Sequence, residues 1–386
     1  MTNDEGSTNG RVANEPSGFV IPSSLDIRHS SLATSPIASA AQLAKLLSQI
    51  EPVDRVAIDT EADSLHCYRE KLCLLQISVP GQDYMVDPLA GLGFEPLFAL
   101  LEKKEIVLHG SDFDLRLLRR AFEFKAHRIF DTVIAARLLG MQEFSLAALV
   151  KQHFGVELVK GSQKANWAQR PLPSRMVEYA INDTRYLLAL AERLETELKK
   201  VERFDWFEQS CERAIEQAAV DRTRDADEIW RISGSGALRG CAAAVLRELW
   251  RWREKEAEAV DRPPFHILQN RELLNAAESF AHGHITDYRH FSSRRRQAFR
   301  EAAERGTRMA EADWPVARSR FGTRPSREIV RRIEELKNRR DRKAAELGLE
   351  AAFVAPRTTL ESIATDERRA VSLLVPWQRQ LLGFER

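Results

Sequence analysis

The chain has 386 residues, of which 44% are hydrophobic, 30% charged and 8% aromatic. This length allows two or three domains, and this composition excludes a wholly disordered, collagen-like or low-complexity chain. No stretch of about 18 residues is free of charge, and the first residues lack the apolar core of a signal peptide. Four cysteines without a C-x-x-C pair predict neither disulfides nor zinc. The sequence thus predicts a water-soluble, cytoplasmic protein with no membrane partner.

Charge is unevenly distributed along the chain. The formal net charge is +1 overall, but it is −6 over residues 1–220 and +7 over residues 221–386. An acidic half beside a basic half favours a metal-dependent catalytic domain joined to a module that attracts a polyanion. Ordinary scatter of surface charge in a two-domain protein is the alternative.

The first 36 residues are rich in Gly, Ser, Thr, Asn and Pro, which predicts a flexible leader. From there to about residue 200, runs of Val, Ile and Leu alternate with stretches of helical period. Strands are predicted over 55–60, 72–79, 83–87 and 106–110. Helices are predicted over 94–104 and 112–122, after Asp131, after Ser145, and from 174 to 200 as one segment. Strands that crowd early, with helices gathering late, predict an α/β domain with a mixed sheet.

Beyond about residue 210 no strand is predicted. A long amphipathic helix over 237–260 precedes the breaker DRPPF and shorter helices. A second long helix over 327–349, followed by a proline segment and short helices, repeats this order. The pattern indicates one or two small all-α domains. The predicted units are a leader (1–36), a catalytic domain (37–205), a helical linker (206–232), a first helical unit (233–313) and a second, degenerate unit (314–386).

Acidic residues of the first domain are spaced as a metal site requires. Asp59 and Glu61 lie two apart in a predicted strand, so both side chains point to one face, where they repel unless a cation lies between them. Tyr179 and Asp183 share a helical face, and Asp114 begins a helix after a strand. Such hard oxygen donors suit Mg²⁺ or Mn²⁺. Each residue alone is as readily a turn, cap or surface residue; the order of all of them in one α/β domain favours a site.

Three segments resemble the exonuclease motifs of ribonuclease D, a family of the DEDD superfamily of 3′–5′ exonucleases, in the branch whose third motif is Y-x-x-x-D. They are DTEADSLHCYREKLCLLQIS, HGSDFDLRLLRRAF and NWAQRPLPSRMVEYAINDTRYLLAL. The resemblance extends from about residue 38 to 200 and implies a ribonuclease H-like fold. Two departures from the family pattern, Ala62 after DTE and Asn166 before Trp167, leave substrate preference open.

The resemblance implies the site residues position by position. Two divalent ions, Mg²⁺ or Mn²⁺, would be held by Asp59, Glu61, Asp114 and Asp183, and Tyr179 would orient or deprotonate the attacking water. Asp114 is chosen over Asp112 because Leu115 follows it as in the family, and Asp112 is assigned a capping role. Asp131 is also expected to cap a helix. For His109, at a strand end, a structural role is favoured over a substrate contact.

Residues 237–281 resemble the helicase and RNase D C-terminal (HRDC) domain, through LRELWRWREKEAEAVDRPPFHILQNRELLNAA, and the second unit resembles it more faintly. Trp250, Trp252 and Trp377 lie in apolar helical stripes, which favours core packing over base stacking. Basic stretches at 289–300 and 318–343 are the candidates for nucleic-acid binding. Within the first stretch, Arg294, Arg295 and Arg296 are predicted to contact phosphates; a solvated charged face is the alternative.

The predicted function is a metal-dependent 3′–5′ exoribonuclease that acts on single-stranded 3′ ends of RNA, including tRNA precursors. Two alternatives remain. One is a DNA exonuclease of the same superfamily, because no residue of the sequence reports a 2′-hydroxyl contact. The other is a nucleic-acid-binding scaffold with a decayed site, which the intact acidic residues disfavour.

Overall fold

The structure is a computed structural model that describes residues 35–158, 161–220, 225, 227–316 and 325–384. Its sheet contains β1 (Arg55–Ala62), β2 (Leu72–Val79), β3 (Gln82–Val86), β4 (Glu105–Leu108) and β5 (Arg128–Asp131). The spatial order is β3-β2-β1-β4-β5, with β1 antiparallel to β2, β2 antiparallel to β3, and β1, β4 and β5 parallel. The prediction of a mixed sheet is confirmed. The leader lies outside the described residues except for its last two.

The helices of the first half are α1 (Ala40–Ile50), α2 (Glu95–Leu101), α3 (Asp112–Phe122), α4 (Thr132–Leu138), α5 (Leu146–Phe154), α6 (Ser174–Arg185), α7 (Leu187–Lys200) and α8 (Phe204–Ala219). Strand β2 is buried along its whole length, as its apolar sequence dictates. Ser145 and Asp131 cap α5 and α4 through their side chains, as predicted. Within the described ranges, no helix is long and apolar enough to cross a lipid bilayer.

The single helix predicted from 174 to 200 is wrong, because the chain bends at Tyr186, which ends α6 and precedes α7. Helix α6 lies over β1, β2 and β3 and buries its apolar residues in a small cluster there, whereas α7 packs on α4, β1 and β4 and buries its apolar residues in the main core. The bend lets each helix bury its own apolar face. Neither glycine nor proline marks it in the sequence.

The helices of the second half are α9 (Gly240–Ala259), α10 (Pro264–Ile267), α11 (Asn270–Ala281), α12 (Ser293–Thr307), α13 (Arg327–Leu347), α14 (Ala351–Val354), α15 (Arg357–Thr365), α16 (Ala370–Leu373) and α17 (Pro376–Leu382). Helices α9 to α12 form the first helical unit around a separate apolar core. Trp252 is buried in that core, partly buried Trp250 packs against it, and Trp377 is buried in the main core. The prediction that these tryptophans serve packing is confirmed.

Helix α8 and the second helical unit both belong to the main core around the sheet. Phe207 and Cys211 of α8 are buried there, together with Leu336 and Trp377 of the second unit. The Trp377 ring stacks on Trp206 of α8 at 5.0 Å between centroids. Helix α8 is therefore packed on the first domain rather than serving as a spacer, which favours extending that domain's proposed boundary to Ala219.

The loop between β1 and β2 contacts the first helical unit. The Tyr68 side chain packs against that unit's core, and the Tyr68 backbone N–H donates to the Asp261 carboxylate at 3.1 Å. Arg69 pairs with Glu258 at 2.6 Å. The first helical unit is thus joined to the loop that directly follows the acidic end of β1.

Candidate active site

The acidic end of β1 lies under helix α6. Asp59 pairs with Gln76 of β2 in an antiparallel register, so their side chains share a face of the sheet with Glu61. Helix α6 crosses this face and brings Asp183 to it. Among the described residues, carboxylate oxygens of Asp59, Glu61 and Asp183 all lie within 4.8 Å of one another. The fold therefore brings together three of the four predicted metal ligands.

Asp114, the fourth predicted ligand, is buried in the first turn of α3 and is not part of this group of three. Its carboxylate accepts a hydrogen bond from the Thr60 hydroxyl, which stands between Asp59 and Glu61 in the chain. Its charge still acts on the group, because it raises the pKa values of the other carboxyls.

Tyr179 lies one helical turn before Asp183 on α6. Burial raises the pKa of Asp183, and the neighbouring Tyr179 hydroxyl lowers it in part. The Tyr179 ring packs on buried Trp167 at 6.1 Å between centroids. Burial, followed by the nearby negative charges, raises the pKa of the phenol above its ordinary value. The helix thus presents a hydroxyl and a carboxylate side by side to the acidic group.

Burial raises the pKa of each of the four acidic groups, and the charges of nearby carboxylates raise it further. For Asp59, burial followed by the charges of neighbouring carboxylates raises the pKa well above its ordinary value. The same causes raise the pKa of Glu61 to about 9. Burial raises the pKa of Asp183 to about 7 and that of Asp114 to about 6, against hydrogen bonds from Tyr179 and Thr60. A cation between the carboxylates would relieve this repulsion, and an all-oxygen donor set fits a hard divalent cation.

The group lines a pocket of about 590 Å³. Besides these three carboxylates and Tyr179, its lining includes the apolar side chains of Phe113, Leu146 and Leu158. Phe113 is 46% exposed although it is aromatic. The polar part of the lining is completed by Thr60, His109, Ser145 and Gln163. The pocket therefore offers acidic, apolar and neutral polar surfaces to one ligand.

Buried hydrogen bonds hold α6 over the sheet. The Ser78 hydroxyl donates to Asp83 at 2.7 Å and lies 2.7 Å from the Thr184 hydroxyl of α6. Arg185, the last residue of α6, pairs with Asp83 at 2.8 Å. Because Thr184 and Arg185 directly follow Asp183 in the chain, the network holds the end of α6 that carries its carboxylate.

Asp131 and Asp112 have different roles from each other. Buried Asp131 accepts from the backbone N–H of Val133 at 2.8 Å and of Ser111 at 2.7 Å, so it caps α4 and also binds the turn before α3. The capping role predicted for Asp112 is wrong: Ser111 occupies the N-cap position, Asp112 is the first residue of α3, and its carboxylate accepts from Arg116 at 2.9 Å. Since Ser111 N–H is already bound by Asp131, the start of α3 is held without Asp112.

Two residues beside the acidic group, Thr60 and Gln76, were not predicted from the sequence. Thr60 holds Asp114, and its only signal was its place inside D-T-E. Gln76 is completely buried, and neither atom of its amide has a hydrogen-bond partner among the described residues. A glutamine within the predominantly apolar run LCLLQISV was the signal that could have indicated it.

The three arginines predicted to bind phosphate lie away from the pocket, on α12. Arg294 and Arg295 pair with Glu256 at 3.4 and 3.1 Å, and Arg296 pairs with Asp287 at 2.7 Å. The side chain of Arg294 is 77% exposed, against 23% for Arg295 and 32% for Arg296. Their role in nucleic-acid binding stays a prediction, with Arg294 the most accessible.

Comparison with known proteins matches two family models. A 3′–5′ exonuclease model of the DNA polymerase A type matches residues 35–199, and an HRDC domain model matches residues 242–280. Ribonuclease D of Sphingobium indicum is 31% identical over 246 residues, which cover 62% of this chain and 63% of that protein. Ribonuclease D of Nitrobacter hamburgensis is 26% identical over 90% of this chain and 92% of that protein.

A solved structure shares the fold of most of the chain. The crystal structure of Escherichia coli RNase D has a TM-score of 0.69 and covers 90% of this chain and 96% of its own, at 21% identity. The chain therefore carries a 3′–5′ exonuclease domain followed by an HRDC domain. The proteins to which the chain is similar, in sequence and in fold, include several ribonucleases D.

Proposed function

We propose that this protein is a 3′–5′ exoribonuclease that hydrolyses phosphodiester bonds at the 3′ ends of RNA with two divalent metal ions. The observation that carries the proposal is the group of three carboxylates within 4.8 Å of one another, in a pocket that Tyr179 also lines. Structured RNA, including tRNA precursors, is the proposed substrate class. The name of the E. coli structure describes that protein as an exoribonuclease involved in structured RNA processing, which supports this choice.

The proposed roles follow from position. Asp59, Glu61 and Asp183 would hold the ions directly, with Asp114 beside them, and Mg²⁺ or Mn²⁺ suits their oxygen donors. Bound ions would lower the pKa of a water and stabilise the leaving 3′ oxygen. Tyr179, whose hydroxyl faces Asp183, would position the attacking water in line with the phosphorus.

The helical units are proposed to hold the strand that enters the pocket. An HRDC match and a net charge of +7 over residues 221–386 support this role. An RNA substrate agrees with the cytoplasmic location expected from the sequence. The matched segment spans about 63% of the Sphingobium relative, so the substrates of the whole protein rest on the experiment below.

The deciding experiment uses single-stranded RNA and DNA of the same sequence, labelled at either end, with Mg²⁺, Mn²⁺ or EDTA. Metal-dependent release of mononucleotides from the 3′ end of RNA is the expected result. Equal shortening of DNA would favour the general exonuclease, and binding without cleavage would favour the scaffold.

Two matched variants test the site itself. Asp183→Asn should lower the rate more than about 100-fold, the upper end of what loss of an outer-shell partner costs, and should weaken Mn²⁺ binding in calorimetry. Asp112→Asn, which removes a nearby carboxylate that pairs with Arg116 outside the acidic group, should leave both unchanged. Wild-type turnover in Asp183→Asn would exclude this site.

A further inference from the structure

His109 stands beside the acidic group without belonging to it. His109 directly follows β4 and lies two residues after Val107. Val107 pairs with Ala57 of the parallel strand β1, and Asp59 lies two residues after Ala57. The continued register places His109 next to Asp59, and its side chain lines the pocket. A ligand held at the carboxylates therefore lies within reach of the imidazole.

The hydrogen bonds around His109 determine which ring nitrogen carries the proton. The Thr132 hydroxyl lies 3.0 Å from the Leu108 carbonyl oxygen, which can only accept, so the single hydroxyl proton is used there. The Thr132 oxygen also lies 2.8 Å from His109 Nδ1 and must accept from it. Nδ1 therefore carries the proton, and Nε2 keeps its lone pair.

Nε2 is the ring nitrogen left to bind a ligand in the pocket that His109 lines. Nε2 makes no hydrogen bond with any residue in the described part of the chain. Burial also lowers the pKa of His109, against the charge of Asp131, which favours the neutral ring. A neutral nitrogen with a lone pair accepts a hydrogen bond and cannot donate one to a phosphate oxygen.

We propose that His109 Nε2 accepts a hydrogen bond from the 2′-hydroxyl of the 3′-terminal nucleotide and thereby favours RNA over DNA. The inference rests on the proposed function, because an enzyme that removes the terminal nucleotide holds its ribose beside the carboxylates. The ribose 2′-hydroxyl is a donor that DNA lacks. His109 is in this view a residue that determines specificity, with Thr132 as the positioning residue behind it.

The test compares RNA oligonucleotides that differ only at the 2′ position of the last nucleotide: hydroxyl, hydrogen or fluorine. Fluorine is electronegative and small but cannot donate. The wild-type kcat/KM for release of that nucleotide should fall about 5- to 10-fold for both hydrogen and fluorine, the worth of one hydrogen bond. A fluoro substrate cleaved as fast as the hydroxyl substrate would overturn the proposal, because it would show that the enzyme does not recognise a hydrogen-bond donor at the 2′ position.

Variants assign the preference to this residue. His109→Phe should reduce the hydroxyl-to-hydrogen ratio to within about 2-fold while cleavage of the deoxy-terminated strand continues. His127→Phe, at an exposed histidine outside the pocket, should keep the wild-type ratio. Thr132→Val should lower the ratio and Thr132→Ser should restore it, because only serine keeps the hydroxyl that accepts from Nδ1.

A measurement without substrate tests the tautomer separately. Nitrogen-15 NMR of histidine-labelled protein should show His109 protonated at Nδ1 and bare at Nε2 at neutral pH. A proton on Nε2, or an unchanged ratio in a folded His109→Phe, would overturn the inference while the exonuclease assignment stands. A wild-type protein that shortens no RNA would instead overturn the proposed function, and this inference with it.

Discussion

The two helical units of the second half share local geometry but pack against different partners. In each, a long helix (α9 or α13) precedes a four-residue helix and then a further helix. Arg253 donates to the carbonyl of Leu268 at 3.2 Å, and Arg340 donates to that of Ala355 at 2.9 Å, fifteen residues further in both cases. Both acceptors follow the short helix with nearly the same extended backbone, at φ −159°. The repeat supports the proposed duplication, although the HRDC model matches only the first unit.

The difference lies in the core that each unit uses. The first unit surrounds a core of its own, whereas the second unit shares the main core with the sheet and α8. Arg203 links the first domain to the second helical unit, because it donates to the carbonyls of Leu138 at 2.6 Å and Leu347 at 2.7 Å. The second helical unit is thus packed with the sheet and α8 into one body, here called the catalytic body, whereas the first helical unit surrounds a separate core.

The largest expected effect comes from the buried tryptophans. Trp377→Ala should lower the free energy of unfolding of the catalytic body by about 3–5 kcal/mol, because Trp377 fills the shared core and stacks on Trp206. Trp252→Ala should cost a similar amount in the first unit alone. Urea unfolding followed by both nuclease activity and circular dichroism separates the two transitions. Loss of activity at the same lower urea concentration in both variants would mean that the units unfold together.

A smaller effect is expected at the repeated arginines. Arg253→Leu and Arg340→Leu should each cost about 1–3 kcal/mol, since each leaves a buried carbonyl without its donor. The first should affect the first unit and the second the catalytic body, which thermal unfolding by calorimetry can distinguish. Arg251→Leu and Arg331→Leu, whose side chains are 57% and 76% exposed, should stay within about 0.5 kcal/mol of wild type. Unequal losses at the two buried arginines would weaken the case for duplication.

The smallest expected effect concerns surface charge on the first unit. Arg294→Ala should reduce the slope of log binding constant against log salt by about 0.7 to 0.9, the contribution of one phosphate contact. Arg295→Ala and Arg296→Ala should change it less, because their less exposed guanidinium groups pair with Glu256 and Asp287. Titration of labelled RNA with Asp183→Asn protein over a salt series measures the slope. A slope that none of the three changes would mean that they form a solvated face.

Sequence patterns predicted the long elements because those patterns repeat many times. Strand β2 and helices α9 and α13 lie within a few residues of their predicted bounds. Strand β5 has only four residues, too few for its period to stand out, and it was not predicted as a strand. An amphipathic stripe also shows that a helix buries a face without showing against what, so the packing of α8 and α17 together could not be predicted.

In the site too, the features that depend on local spacing were predicted, and those that depend on distant residues were not. Spacing along a strand and a helix predicted that Asp59 and Glu61 share a face and that Tyr179 stands beside Asp183, since both relations are local. The displacement of Asp114 toward Thr60 depends on how α3 meets β1, and no local pattern reports that. The protonation of His109 depends likewise on Thr132, which lies 23 residues further along the chain.

The attachment of Tyr68 to the first helical unit limits the distance between that unit and the carboxylates of the site. Tyr68 lies seven positions after Glu61, and a fully extended chain over seven residue steps spans at most about 25 Å. While Tyr68 stays in the core of the unit, the unit cannot move further than this from the carboxylates. Any strand that the unit holds is then kept at high effective concentration near the pocket. Successive nucleotides would be removed before the strand diffuses away, so the length of one loop bears on how many are released in each encounter.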